Sequence, residues 1–175
     1  MLTLHSYPEL FGVSDNNPYG LKIFAFLRLA AVPFRHVHIF DASSAPRGQL
    51  PYIVDDGEAI GDSDTIIAHL IRKYRLTIDS ALTVQQRDTT HLITRMLDDL
   101  YWVMSYSRWQ DDRFWPLFRD AFLKQHPSLT EAGLKKAREI YFFELETPLR
   151  QFVVSHGNIV QHCCAIHGAV AVQKP

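Results

Sequence analysis

The spacing of apolar and polar positions predicts a strand, a helix and a second strand at the start of the chain. Apolar residues alternate at residues 2–7 and again at 34–40, which predicts two strands. Between the strands, apolar residues recur at helical spacing from Pro18 to about residue 31. Asn17 and Pro18 provide a favoured N-cap and first helical residue. A strand, a helix and a strand at this spacing indicate a right-handed βαβ unit with parallel strands.

The next segment, residues 49–63, predicts a β-hairpin followed by a helix. Residues 52–54 are aromatic or β-branched, residues 55–57 are Asp-Asp-Gly turn chemistry, and residues 58–60 form a short returning strand. Pro51 stands at the strand entrance, where its missing N–H is tolerated, and residue type alone favours a trans Leu50–Pro51 bond. Asp62 or Ser63 then caps a helix at residues 65–74. Its first N–H groups and the Ser63 hydroxyl either serve the helix alone or bind a ligand carboxylate.

The second half of the chain predicts helices. Residues 75–82 break the pattern and form a linker, and Thr83 opens a capping box of the form Thr-x-x-Gln before a long helix to about residue 107. A helix at 113–125 follows, capped by Asp111-Asp112, and a third helix is predicted at about 131–147. One face of the first helix is expected to carry Ile93, Leu97, Leu100 and Met104. The apolar residues of the second helix that are expected to be buried are Phe114, Trp115, Leu117, Phe118, Ala121 and Phe122. The residues of the third helix that are expected to be solvated are Lys135, Lys136 and Arg138.

Composition excludes several classes of protein. The chain has 175 residues, is 47% apolar and 12% aromatic, and has a net charge of −1 from 18 basic and 19 acidic residues, which indicates a globular protein without a nucleic-acid partner. No apolar run approaches about 18 residues and no signal peptide is evident, so we expect a cytoplasmic protein without membrane insertion. The cysteines, Cys163 and Cys164, are adjacent. A thioredoxin-type cysteine pair is therefore excluded from the first 160 residues.

Two groups of residues suggest metal binding, but neither forms a complete site in the sequence. His36 and His38 alternate on the second strand, yet no third ligand is evident, so an exposed edge face is the preferred interpretation. Near the C-terminus, His162 and His167 flank the two cysteines. Adjacent cysteines cannot easily both reach one tetrahedral ion. We therefore expect no metal.

The ordered set of Leu50-Pro51, a short hairpin and Asp62-Ser63 at a helix start resembles the glutathione S-transferase superfamily. The resemblance implies an α/β thioredoxin-like N-terminal domain at 1–75, followed by an all-α C-terminal domain at 83–155. It further implies glutathione as co-substrate. The residue before a cis-proline would pair through its backbone with the cysteinyl part of glutathione, and the acidic-Ser pair would hold the γ-glutamyl end. These roles fall on Leu50, Pro51, Asp62 and Ser63.

Residues 17–22, 45–53 and 100–102 look most like the branch of metaxins and failed-axon-connection proteins. Metaxins resemble transferases in fold and serve mitochondrial protein import without an established transferase activity. The tail at 156–175 departs from the family pattern because it has neither periodicity nor caps. We therefore expect a fold of the glutathione S-transferase type with an apparently truncated C-terminus.

A glutathione transferase needs one hydrogen-bond donor aimed at the glutathione sulfur, because the thiolate is the nucleophile. The resemblance places this donor at the end of the first strand, at Tyr7, or at the start of the first helix, at Asn17, with Ser14 as a third candidate. Each has an alternative role: Tyr7 in the core, Asn17 as helix cap and Ser14 in the loop.

The predicted function is conjugation of glutathione to a small electrophile by a homodimer. Aromatic residues of the helical domain would line the electrophile pocket, for example Tyr101, Trp102 and Tyr106. The alternative function is a non-catalytic, metaxin-like interaction or scaffold protein.

Overall fold

The computed structural model describes residues 1–139 of the 175. The chain divides into two compact units, Met1–Val84 and Gln85–Pro175. The last part of the predicted third helix and the predicted tail at 156–175, with its histidine and cysteine cluster, lie outside the described residues.

Unit 1 is a four-stranded sheet with two helices. Its elements are β1 (Thr3–Ser6), α1 (Pro18–Leu29), β2 (Arg35–His38), β3 (Tyr52–Asp55), β4 (Glu58–Gly61) and α2 (Ser63–Tyr74). The strand order is β2-β1-β3-β4, with β1 and β2 parallel and β3 antiparallel to both of its neighbours. The βαβ unit, the hairpin and the following helix are therefore confirmed.

The two faces of the sheet bury different clusters. One cluster combines residues in or next to the strands with residues of both helices: Leu2, Leu4, Ile53, Ile23, Leu27, Ile66 and Leu70. Tyr52 is the strand neighbour of Ile53, so its side chain points to the opposite face. There it packs with Ala45 and Leu50 from the connector that precedes β3. The connector therefore covers the face that the helices leave open.

A buried carboxylate joins the end of β3 to the last turns of α2. Asp55 is 2% exposed. It accepts hydrogen bonds from His69 Nε2 at 3.0 Å and Tyr74 Oη at 3.2 Å, and it pairs with Lys73 Nζ at 2.9 Å. Burial raises the pKa of Asp55, but the three partners outweigh burial and the net pKa is lowered. The carboxylate is therefore held ionised inside the fold.

Unit 2 contains α3 (Val84–Trp109), α4 (Trp115–Gln125) and a further helix whose described part is 131–139. The structure differs from the prediction in where the second helix begins. The Asp111 carboxylate accepts the N–H of Arg113 at 3.0 Å and its carbonyl accepts that of Trp115 at 2.9 Å, as a capping residue does. The regular helix α4 begins later, after Phe114, which makes no side-chain cap. Trp115 is buried as predicted, but Leu117 is 54% exposed, so the predicted burial of Leu117 is wrong.

Arg138, predicted to be solvated, instead binds the C-terminal end of α3. It donates to the carbonyl oxygens of Trp109 at 2.7 Å and Gln110 at 3.1 Å, and to Asp112 Oδ1 at 2.7 Å. Its guanidinium carbon lies 4.6 Å from the centre of the Trp115 ring. Carbonyls at a helix C-terminus lack intrahelical partners and attract cations. This explains why a charged residue is drawn inward here.

The predicted apolar face of α3 is largely solvent-exposed. Ile93, Leu97 and Leu100 are exposed by 48%, 53% and 37%.

No helix within residues 1–139 combines the length and the apolar character needed to cross a bilayer.

Candidate functional site

The sheet register brings the predicted site residues to one edge of unit 1. His5 near the end of β1 pairs with Tyr52 at the start of β3, and Tyr52 pairs with Gly61 at the end of β4. Within two residues of these pairs along the chain are Tyr7, Leu50-Pro51 and Asp62-Ser63. The loop that leaves this edge from β1 ends at Asn17, which caps α1. Residues far apart in sequence are therefore collected around the starts of α1 and α2.

The peptide bond between Leu50 and Pro51 is cis. The resemblance implied this geometry, whereas the prediction from residue type alone, trans, is wrong. The Leu50 side chain is 7% exposed and packs against Ala45 and Tyr52. No backbone hydrogen bond of the Leu50 amide is found within residues 1–139. The buried side chain of Leu50 thus holds its backbone in place, and the Leu50 N–H is available to another acceptor.

Asp62 is the N-cap of α2. Its Oδ1 accepts hydrogen bonds from the backbone N–H and the hydroxyl of Thr65, both at 3.0 Å, and its Oδ2 lies 3.4 Å from the Arg47 guanidinium. The carboxylate therefore already satisfies one orphan N–H of the helix. Ser63, the first residue of α2, is 6% exposed. Its position at the positive end of the helix dipole suits it to a ligand carboxylate.

Lys22 is a residue of this site that the sequence analysis missed. It lies in the first half of α1, and its Nζ is 2.6 Å from Asp64 Oδ1 and 3.5 Å from Ser63 Oγ. Its side chain is 24% exposed. Its partners lie 41 and 42 residues away in the chain, so no local spacing indicated this contact. Lys22 adds a positive charge beside the start of α2.

Asn17 caps α1 through its side-chain oxygen. Oδ1 accepts the Tyr19 N–H at 2.9 Å, and the Asn17 N–H donates to Asp15 Oδ1 at 2.7 Å. Because only the amide oxygen can accept from an N–H, this bond assigns the other side-chain atom as the NH₂ group. Asn17 is half-buried. Its capping role is thus observed, and the same bond leaves the amide donors available.

Tyr7 and Ser14 occupy different surroundings. The side chain of Tyr7 packs against the cluster that contains Leu50 and Tyr52 and contacts the Phe40 ring edge-on at 5.9 Å. Ser14 is half-buried in the loop before α1. All three candidate donors therefore come from β1 or from the loop that follows it, but they differ in what surrounds them.

The predicted exposed edge face of β2 holds for His38 and is wrong for His36. His36 is half-buried, its Nε2 lies 2.7 Å from the buried Ser6 Oγ, and its ring contacts Phe24 at 5.3 Å. Burial, followed by the neighbouring His38, lowers the pKa of His36 to about 4. His38 is exposed, and its Nδ1 lies 2.9 Å from the Tyr7 carbonyl oxygen. No group of three potential metal-binding side chains is found in the described part of the chain.

Comparison with known proteins places the chain in a family. Residues 18–114 match the model of the glutathione S-transferase N-terminal domain. This match includes Leu50, Pro51, Asp62 and Ser63 and begins one residue after Asn17. The chain belongs to the glutathione S-transferase family, with a thioredoxin-like N-terminal domain followed by helices.

Two curated relatives are similar to this chain over most of its length, a transferase and Failed axon connections. The chain is 35% identical over 125 residues to isoprene-epoxide–glutathione S-transferase of Rhodococcus sp. strain AD45, covering 67% of this chain and 52% of that protein. It is 38% identical over 163 residues to Failed axon connections of Drosophila melanogaster, covering 90% of this chain and 37% of that protein. The chain thus spans about half, or less, of the length of these relatives.

Among solved structures, the β-etherase LigF from Sphingobium sp. strain SYK-6 is 22% identical with a TM-score of 0.49, covering 88% of this chain and 70% of that one. Likeness at this level adds nothing to the family assignment, which rests on the sequence matches.

Proposed function

We propose that this protein binds glutathione at the edge formed by Leu50-Pro51 and the start of α2, and conjugates its thiolate to a small electrophile. The observation that carries the proposal is the Leu50 amide, which has no acceptor within residues 1–139 although its side chain is buried. A backbone N–H that no acceptor of the described residues uses is available to a ligand acceptor. A backbone pair with the cysteinyl part of glutathione would satisfy it.

The start of α2 supports the same placement of the ligand. Ser63 and the first N–H groups of the helix suit the γ-glutamyl carboxylate, and Lys22 contributes a cation 3.5 Å from the Ser63 hydroxyl. Both carboxylate oxygens of Asp62 already have partners in the protein. Asp62 would therefore support ligand binding indirectly, by capping α2. The pair Leu50-Ser63 therefore forms the centre of the proposed binding site.

For activation of the thiol, we favour Asn17 over Tyr7 and Ser14. The hydrogen bond to Tyr19 fixes the Asn17 amide so that its NH₂ group remains a donor. Asn17 also stands at the N-terminus of α1, where the helix dipole favours a thiolate. The Tyr7 side chain, by contrast, packs in an apolar cluster.

The test is a titration of the full-length, ¹⁵N-labelled protein with glutathione. The amide signals of Leu50 and Ser63 are expected to shift together with one saturable affinity. S63A is expected to weaken binding about tenfold or more, because a hydrogen bond to a charged group contributes about 1.5–3 kcal/mol. S80A, at an exposed serine of the linker, serves as the matched control. Unchanged Leu50 and Ser63 signals at millimolar glutathione would overturn the proposal.

A second function, a non-catalytic interaction protein, is favoured by one observation. The match to Failed axon connections extends over 163 residues, against 125 for the isoprene-epoxide transferase. Turnover of 1-chloro-2,4-dinitrobenzene separates the two functions. Glutathione binding with turnover supports the transferase, and a protein that binds no glutathione and turns over no electrophile supports the interaction protein. The electrophile pocket at Tyr101, Trp102 and Tyr106, the homodimer and the cytoplasmic location remain predictions.

A further inference from the structure

The pair His36 and His38 has an arrangement that the proposed function does not use. The two residues are separated by one position on β2, so both side chains project from the same face of the strand. Their ring centres are 4.1 Å apart, with the ring planes inclined by 51°. β2 is an edge strand of the sheet, and His38 is exposed. Two imidazoles therefore lie side by side on an edge strand, with His38 on the side that solvent reaches.

A hydrogen bond sets the tautomer of His38, and another occupies one ring nitrogen of His36. The Tyr7 carbonyl oxygen can only accept, so the 2.9 Å contact assigns the proton to Nδ1 of His38 and leaves the lone pair on Nε2. The Ser6 hydroxyl donates to the same carbonyl at 3.5 Å and lies 2.7 Å from His36 Nε2. The bond with Ser6 occupies Nε2 of His36, and in the tautomer in which Nε2 is the donor the lone pair is on Nδ1.

This pattern is characteristic of histidines that bind metals. A metal-binding histidine almost always donates its second ring N–H to a carbonyl, a carboxylate or water, which fixes the ring and raises its basicity. Here His38 has such a partner, the Tyr7 carbonyl, and His36 has the Ser6 hydroxyl in the corresponding place. Phe24 and Phe34 contact the His36 ring at 5.3 and 6.2 Å and shield it from solvent. The neighbouring cation, Arg35, projects from the opposite face of the strand.

The geometry points to a two-histidine site for a late first-row divalent transition ion, with Cu²⁺ or Ni²⁺ bound more tightly than Mn²⁺ or Mg²⁺. Imidazole suits these ions, whereas Mg²⁺ takes oxygen ligands. Residues 1–139 contribute two side-chain ligands, and water completes the coordination. A closed structural zinc site, which requires four protein ligands, is a different arrangement.

The test is calorimetric titration of the full chain with Ni²⁺. One ion is expected to bind at this site, and H36Q and H38Q are each expected to weaken its binding at least tenfold, whereas H91Q, at an exposed histidine of α3, should leave it unchanged. S6A should weaken binding less than either ligand variant, because it removes a hydrogen bond to the ligand and not the ligand itself. Because His38 is exposed, we expect H38Q to fold, so H38Q tests the site even if H36Q does not fold.

The C-terminal group of His162, Cys163, Cys164 and His167 offers a competing site, and the double variant C163S/C164S separates the two. Binding that survives in this variant and is lost in H38Q supports the site on β2. Binding that is equal in wild type and H38Q, or that is lost only in the cysteine variant, overturns the proposal. Displacement of Ni²⁺ by a modest excess of Mg²⁺ would overturn it as well, because it would indicate oxygen ligands.

Discussion

The carboxylate of Asp15 lies directly against the α-carbon of Gly20 in the first turn of α1. A methyl group built on Gly20 would fall 1.8 Å from Asp15 Oδ2. Asp15 is 1% exposed, and its Oδ1 accepts the N–H of Asn17 at 2.7 Å. The absence of a side chain at residue 20 therefore determines where Asp15 lies, and through it the backbone of Asn17.

G20A is expected to lower the free energy of unfolding by about 1–3 kcal/mol, the usual cost of overpacking a well-packed site. Without that contact, alanine in a helix would stabilise relative to glycine by about 0.8–1 kcal/mol. Urea unfolding of G20A, D15A and the double variant measures the coupling between the two positions. We expect G20A to cost less in the D15A background. An equal cost in both backgrounds would contradict the contact as its cause.

Asn17 allows its two roles to be separated by substitution. N17D keeps a side-chain oxygen for the Tyr19 N–H but loses the NH₂ donors, and aspartate caps helices about as well as asparagine. We therefore expect N17D to unfold within about 0.5 kcal/mol of wild type, because the cap is retained. Its turnover of a model electrophile should fall about 10²-fold, the scale of losing one donor to a developing anion.

Y7F is the comparison for that experiment. If Asn17 is the donor, Y7F retains most of the activity. Loss of turnover in Y7F together with normal turnover in N17D would assign the sulfur contact to Tyr7.

The buried Asp55 makes a prediction about acid stability. Its folded-state pKa is lowered relative to the ordinary value, so the unfolded state binds its proton more readily and the ion pair stabilises the fold above about pH 4. This contribution is lost as pH falls below about 4, through the folded-state pKa. D55N, which leaves His69 and Lys73 without their buried partner, should cost about 3 kcal/mol at pH 7.

Urea unfolding of wild type and D55N from neutral pH to about pH 3 measures the contribution of the ionised Asp55 to stability. The difference between wild type and D55N is expected to shrink on acidification. D56N is the control, because Asp56 is 70% exposed and exposed ion pairs contribute about 0–1 kcal/mol. A difference that stays constant with pH would contradict the role of the ionised carboxylate.

Arg138 is expected to be the most sensitive charged residue of the described part of unit 2. R138A removes the hydrogen bonds to the carbonyls of Trp109 and Gln110 and the contact with the Trp115 ring. We expect R138A to lower the free energy of unfolding by about 2 kcal/mol, from the loss of these interactions together. R138K should recover only part of it, because an ammonium group lacks the planar fork. K135A, at an exposed position one turn away, should change stability little; an equal loss in K135A would contradict a specific role for Arg138.

Local sequence was sufficient for the regular elements of unit 1. Alternation at residues 2–7 and helical spacing after Pro18 report burial on one face, and that signal is carried by neighbours in the chain. The cap at Asn17 and the turn at residues 55–57 were predictable for the same reason, since each forms its bonds within a few residues. The ordered motif, through the family resemblance, was what singled out Leu50, Pro51, Asp62 and Ser63 as predicted binding residues.

The sequence by itself determined which segments become strands and helices, because periodicity and capping are local properties. Only the tertiary structure decided the surroundings of His36, Lys22 and Arg138, which depend on groups 28 to 41 residues away in the chain. His36 and Arg138 were expected to face solvent, and they instead approach a buried hydroxyl and a helix end. Lys22 was not singled out, and it approaches a helix start. A polar side chain responds to the partner that folding brings to it, and no spacing within its own segment records that partner.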